Sequence, residues 1–184
     1  MQKTSRKNTL NNMAFDIEKI DIIPYYFEND GVIPNNKLPL LIYKNVIPFL
    51  LVENVEMSFQ NNGWTNNWKD IILPYDHFHS NTHEVLGLIK GQARLMAGGS
   101  KAGQEVVVET GDVIIIPAGV GHYSLDNSID YQFIGGYPNG ADWNLYRSWK
   151  ENEHTSILDE IDAIPLPKSD PIFGLEGPLF DYWK

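Results

Sequence analysis

His77-Phe78-His79-Ser80-Asn81-Thr82-His83-Glu84 and, further on, Gly111-Asp112-Val113-Ile114-Ile115-Ile116-Pro117-Ala118-Gly119-Val120-Gly121-His122 together hold four of the five histidines in a chain of 184 residues. On a β-strand, residues i and i+2 share a face, so His77 and His79 present two imidazoles to one point while Phe78 turns into packing. Residues 80–83 can make a turn or bulge that resets this alternation and returns Glu84 to the same point. His122 arrives from a distant strand. Neutral imidazoles plus a carboxylate form a ligand set for a divalent transition metal with positions left open for chemistry. Ligands on separate rigid strands fix that geometry before the ion binds. His83 competes, since it can replace Glu84 or His79. Its place beside Glu84 in the alternation turns it outward or behind the ligands.

Outward from these segments, the chain from Ile71 to Tyr137 reads as short strands with turn punctuation: 71–79, 84–90, 92–97, 104–109, 112–116, 121–125 and 130–136. Gly98–Gly103 is a hairpin loop, and Thr110-Gly111 and Ala118-Gly119 are turns. Closely spaced strands with glycine-bearing connections imply a β-sandwich or barrel. Val113–Ile116 is apolar without alternation, as expected of a strand buried on both faces. Upstream, residues 15–70 form an N-terminal cover with one helix over about 46–61. Asn45 is its expected N-cap and Asn62-Gly63 its end. Trp64 and Trp68 are expected packing anchors. Beyond the strands, 141–150 and 153–161 have the character of short helical turns. Residues 138–184 form a C-terminal arm, too apolar toward its end for a free linker, that packs on the body or on a neighbouring subunit.

Net charge is −10, with 14 Lys+Arg against 24 Asp+Glu, which disfavours nucleic acid and anionic membrane surfaces as partners. No apolar run approaches the ~18 residues of a spanning helix. The chain has no cysteine, so disulfides and thiolate ligands are both excluded. A cytoplasmic location fits. Residues 1–14 are polar and read as a disordered leader, with Met1 and Met13 both available as starts.

At the level of motifs, the first segment resembles the first motif of the cupin superfamily: His77, His79, Glu84 and Gly91 keep its order and spacing. Gly111, Pro117, Gly119 and His122 match the second motif in the same way. Two departures, Asp126 where Asn is usual and Ile71 where Gly often opens the first motif, touch no ligand position. The whole chain, through its long cover and a tail with Asp170-Pro171, Gly174 and Gly177-Pro178-Leu179, is also similar to a little-characterised bacterial single-cupin subgroup. The resemblance implies an all-β fold, an antiparallel jelly-roll barrel with one helix in the N-terminal half and extended arms. It also implies a metal held by His77, His79, Glu84 and His122 in the barrel mouth, and a homodimer. For the ion, Fe or Mn is favoured, with Ni, Zn and Co as alternatives.

The function expected from this centre is an enzyme of dioxygenase or isomerase type acting on a small oxygen-rich organic molecule. Glu84 doubles as general base. Two alternatives stand beside it: a non-catalytic sugar- or metabolite-binding module, and a metal-free epimerase or isomerase. Tyr75, Asp76 and Tyr123 flank the ligands and are candidates to orient them, while Arg94 and Gln132 are candidate substrate contacts.

Overall fold

The computed structural model describes residues 7–10, 13–16, 20–47, 52, 54–126 and 129–184. Its strands are β1 (Lys7–Leu10), β2 (Met13–Asp16), β3 (Ile22–Phe27), β4 (Asn36–Tyr43), β5 (Trp64–Asp70), β6 (Glu84–Lys90), β7 (Gln92–Ala97), β8 (Gln104–Glu109), β9 (Val113–Ile116), β10 (His122–Ser124) and β11 (Gln132–Pro138). Three short helices join them: α1 (Val55–Asn61), α2 (His154–Asp162) and α3 (Leu179–Tyr182). The expected all-β antiparallel fold is present, built as two main sheets. One has six strands in the order β3-β4-β9-β6-β11-β5, the other three in the order β10-β7-β8. Strands β1 and β2 pair separately, and the rest of the expected 1–14 leader lies outside the described residues.

Alternation on the large sheet shows why Val113–Ile116 carries no polar position. Val113 and Ile115 face a core that includes Leu41, Tyr43, Phe59, Val85, Phe173 and Trp183. Ile114 and Ile116 face the opposite core, with Leu40, Leu86, Leu95, Val106 and Phe133. The second core is the space between the two sheets. The first is capped by α1 and by the C-terminal tail, whose Trp183 indole donates to the Pro39 carbonyl at 2.9 Å. Each such side chain stabilises the fold by about 1.5–3 kcal/mol through burial, so the central strand of this sheet is anchored from both sides.

Three local expectations change. The helix spans only Val55–Asn61, with Asn54 at its N-cap position. Asn45 instead adopts φ 50° in a turn and its N–H donates to the buried Asp112 carboxylate; residues 48–51 and 53 of the expected helix lie outside those described. Trp64 and Trp68 are packing anchors as expected, Trp64 buried in the first core and Trp68 against the second, within an edge strand, Trp64–Asp70, paired to β11. Residues 71–79 form no regular strand, although His77 and Phe78 make isolated bridges to His122 and Tyr146. Residues 141–150 are irregular rather than helical, because their backbone groups are used elsewhere: Tyr146 exchanges two hydrogen bonds with Phe78, at 2.9 and 3.0 Å. The turn expected at 153–161 does form, as α2. Among the described residues, no helix is long and apolar enough to cross a membrane.

Candidate metal centre

His77 and His79 enter from the extended segment before β6, Glu84 begins β6, and His122 begins β10. The bridge sets this register: the His122 N–H donates to the His77 carbonyl at 2.9 Å, and the Gly119 N–H donates to the His79 carbonyl at 2.7 Å. Gly119 holds φ 85°, and a Cβ there would lie 2.8 Å from the Asn35 carbonyl, so this turn needs glycine. Phe78 points the opposite way and stacks on Tyr146, with ring centroids 5.4 Å apart. The i, i+2 alternation therefore holds although the regular strand does not.

Three imidazoles converge. One ring nitrogen from each of His77, His79 and His122 lies within 4.8 Å of the others, and all three residues are buried. Two nitrogens coordinating one ion at about 2.1 Å are separated by up to about 4.2 Å, so the group fits a metal after a small contraction. The outer nitrogens are all engaged. Nδ1 of His77 faces the Tyr75 carbonyl at 3.0 Å, Nδ1 of His122 faces the Val120 carbonyl at 3.2 Å, and Nδ1 of His79 bonds the Asn144 carbonyl. A carbonyl only accepts, so each Nδ1 carries the proton and each Nε2 of a neutral ring presents a lone pair.

Glu84 closes the group. Its Oε2 lies 3.5 Å from His79 Nε2 and 3.3 Å from His122 Nε2, and has no hydrogen-bond partner. Its Oε1 accepts the Tyr137 hydroxyl at 2.9 Å, and that hydroxyl in turn accepts the Trp68 indole N–H at 2.9 Å. Lone pairs and an anionic oxygen facing one another in a buried site repel unless a cation or proton lies among them. The residues present therefore fit a divalent metal. Burial, aided by His122, lowers His77 to about 3. For His79 burial also pulls downward, but the Glu84 carboxylate carries it above its ordinary value. Burial pushes Glu84 upward, yet His79 and His122 hold its carboxyl well below the usual range. Burial and the Glu84 charge raise Tyr137, keeping its phenol a hydrogen-bond donor.

The other sequence candidates are dispersed. His83 is buried away from the three-histidine group: its Nδ1 accepts the Ala118 N–H at 3.0 Å, its ring packs on Trp183 with centroids 4.7 Å apart, and burial lowers it to about 4. Tyr75 serves His77 through its carbonyl, while its ring lies edge-on to His77 at 6.0 Å and beneath the Arg147 guanidinium. Tyr123 follows His122 on β10 and so projects to the alternate face. Arg94 is exposed and ion-paired with Asp126 and Glu105, and exposed Gln132 opens β11; neither lines the cavity over the histidines. Asp76 accepts the Ser100 N–H at 2.7 Å and acts in a turn.

Sequence reasoning missed Tyr137, Trp143 and Asn144, and read Trp68 as packing alone. Tyr137 and Trp68 come together through a bulge in the β11–β5 register between Gly135 and Tyr137. The Trp68 ring lies on Gly135, where a Cβ would fall 2.1 Å from the indole. The Gly135-Gly136 pair within an otherwise apolar strand was the available signal of close ring approach. Asn144 was invisible locally. It bonds His79 by its carbonyl and Ser80 by its side chain, and Ser80 in turn bonds Glu160 of α2.

A cavity of about 330 Å³ opens onto the centre, lined by His77, His79, Glu84 and His122 at its base and by residues 66–73, Tyr137, Trp143 and Leu145 on its walls. The cupin-domain family profile matches residues 73–128, the span that carries the site. The uncharacterized protein YjlB of Bacillus subtilis is 38% identical over 160 residues, covering 86% of this chain and 94% of that one. Among solved structures, acireductone dioxygenase from Bacillus anthracis, with a cadmium ion in its active centre, is 14% identical over 51% of this chain and 62% of its own, at TM-score 0.37. A mutant of Bacillus subtilis oxalate decarboxylase is 17% identical over 83% of this chain and 39% of its own, also at TM-score 0.37. The chain thus spans less than two thirds of either solved protein. Family profile and full-length relative agree with the two-sheet fold and the buried histidines: the chain belongs to the cupin family, in the group that includes YjlB.

Proposed function

We propose that this cupin is a metal-dependent enzyme, of dioxygenase or isomerase type, that acts on a small organic molecule chelating through oxygen at a centre held by His77, His79, Glu84 and His122. The observation that supports it is the orphaned Oε2 of Glu84 among three imidazoles whose Nδ1 atoms are all tied to carbonyls. Three nitrogens and one oxygen suit Fe or Mn, with Ni, Zn and Co as alternatives; Mg and Ca prefer oxygen-only sites. Such an ion supplies Lewis acidity or O2 chemistry when bound.

The protein's own contribution is positional. The backbone carbonyls of Tyr75, Val120 and Asn144 fix the tautomers, so no ring must reorient on loading. Tyr137 holds Oε1 of Glu84, leaving Oε2 to face the centre; with only a weak bond to the ion, Glu84 would also serve as general base.

The test is elemental analysis of protein purified without a metal-affinity tag, before and after reconstitution with Fe, Mn, Ni and Zn. Close to one ion per chain is expected; below about 0.1 per chain after reconstitution, the metal centre is wrong. Activity over diketones, diols and keto sugars, followed by product formation and O2 uptake, then separates enzyme from binding module. Turnover surviving the combined His77→Ala and His122→Ala substitutions removes this centre from the reaction.

A further inference from the structure

We infer that the substrate is a small, flat molecule with an apolar or aromatic body, chelating by vicinal or 1,3-oxygens at one end, and that sugars and small di-acids are poorer ligands. This rests on the metal centre proposed above and concerns the walls that rise from it. Those walls are mainly hydrocarbon and ring: Trp68, Ile72, Tyr137, Trp143 and Leu145 surround the approach to the histidines. The rings are held in place. Trp68 donates to the Tyr137 hydroxyl, Trp143 stacks on Tyr137 at 6.4 Å with planes 28° apart, and Trp143 also lies against His79 at 5.4 Å.

Trp143 remains 46% exposed at the cavity mouth. A large ring packed on one face and open beside a cavity is placed to stack on a ligand, because aromatic faces are the part of such a site that gains most from a flat partner.

Charge on the walls adds nothing for an acid beyond the ion itself. Lys69 is the one lysine or arginine among the lining residues, and its Nζ is already paired with Glu56 at 2.8 Å. Exposed Asp70 adds a carboxylate to the walls. A di-acid chelating the ion through one end therefore gains no second charged partner, and its body meets ring and hydrocarbon. A sugar finds few free polar groups for its hydroxyls: the Asn66 and Asn67 amides of the lining already donate to the Ala141, Trp64 and Gly135 carbonyls, and the Trp68 indole to Tyr137. A volume of about 330 Å³ is at the small end for ligand cavities and holds one ring with short substituents.

The experiment is calorimetric titration of manganese-loaded protein with 4-nitrocatechol, oxalate and glucose. The first is expected to bind at least about 30-fold tighter than either of the others. Trp143→Ala should weaken 4-nitrocatechol about tenfold and Trp143→Phe less than about threefold, each measured on folded protein loaded to about one manganese per chain. Oxalate or glucose binding as tightly as 4-nitrocatechol overturns the inference, as does an unchanged affinity in a folded, loaded Trp143→Ala protein. If manganese does not load, that failure belongs to the metal centre. The walls are then read from quenching of tryptophan emission by 4-nitrocatechol in metal-free protein: quenching lost in Trp143→Ala supports them, and no saturable quenching overturns them.

Discussion

Glu84 and Asp170 are both buried carboxylates, 3% and 0% exposed, and they are treated in opposite ways. Asp170 ties the C-terminal tail to the body. Its Oδ1 accepts the Ile172 and Phe173 N–H groups at 2.8 and 3.0 Å, and its Oδ2 accepts the Tyr43 hydroxyl at 2.7 Å and the Leu179 N–H at 3.1 Å. Four donors surround it and no lone pair opposes it. Glu84 has one donor, Tyr137, and its second oxygen faces imidazole nitrogens that carry lone pairs of their own. A carboxylate saturated by neutral donors is a structural knot. One left short of donors among other ligand atoms is a site that requires a cation.

The largest effect that tests this contrast falls on the knot. Asp170→Ala leaves three backbone N–H groups and a phenol buried without acceptors, at about 1–3 kcal/mol each before relaxation. A loss of about 4 kcal/mol in urea unfolding is expected, with metal content unchanged in the fraction that folds. A loss below about 1 kcal/mol would show that the tail is not held by this group.

Next comes the metal side. Glu84→Gln should weaken metal binding at least about 100-fold, since it removes the charge from a ligand set that must balance a divalent ion. In metal-free protein the same change should be neutral or stabilising by about 1 kcal/mol, because the new amide can donate to the His79 and His122 lone pairs. Asp170→Asn has the opposite sign: it turns a donor toward donors and should cost about 2 kcal/mol. Both comparisons belong at about pH 9, where His79 holds its extra proton least. A metal-free Glu84→Gln protein destabilised as much as Asp170→Asn would make Glu84 structural too.

A smaller change is expected from Tyr137→Phe, which keeps the ring and removes the bond to Oε1. Metal affinity should drop about tenfold, and stability by about 1 kcal/mol as the Trp68 N–H loses its acceptor. Competition with a calibrated chelator measures the first. An affinity equal to the parent's would show that Glu84 does not depend on the phenol for its orientation.

How much of this was legible follows from where each residue obtains its position. His77, His79 and Glu84 are close in sequence, so strand alternation and one bulge suffice to bring them together; the spacing from Gly111 to His122 marks the turn that returns the fourth. Val113–Ile116 declared a doubly buried strand by composition alone, and the two cores on its faces bear that out. Tyr137, Trp68 and Asn144 owe their places to tertiary structure: a bulged register with an edge strand, and a loop whose carbonyl meets a ring 65 residues away. No periodicity encodes such a meeting. Asp170 was quoted as part of a tail motif, but its four donors come from three segments and show only in the fold. The helix start was set too early, because Asn45 precedes apolar residues at helical spacing; the turn at Asn45, tied down by Asp112, runs against that local pattern.

The smallest predicted effect concerns pH, and it separates the two carboxylates without any ion. The Glu84 charge raises His79 above its ordinary value of 6.5 against the pull of burial. A histidine whose folded pKa is raised contributes stability that is fully present below the unfolded value and is lost as pH rises through the folded one. Metal-free protein should therefore lose a component of stability on going upward from about pH 6.5. His77, lowered to about 3 chiefly by burial, works in the other window: its contribution is present above 6.5 and is lost as pH falls toward 3. The two windows lie on opposite sides of 6.5, so urea unfolding at a series of pH values resolves them. Glu84→Gln should flatten the upper slope by removing the charge that raises His79, whereas Asp170→Asn, however destabilised, should keep it. An upper slope that persists in Glu84→Gln would mean that the carboxylate does not govern His79, and would remove the electrostatic half of the contrast while leaving the hydrogen-bond half to stand on the substitutions above.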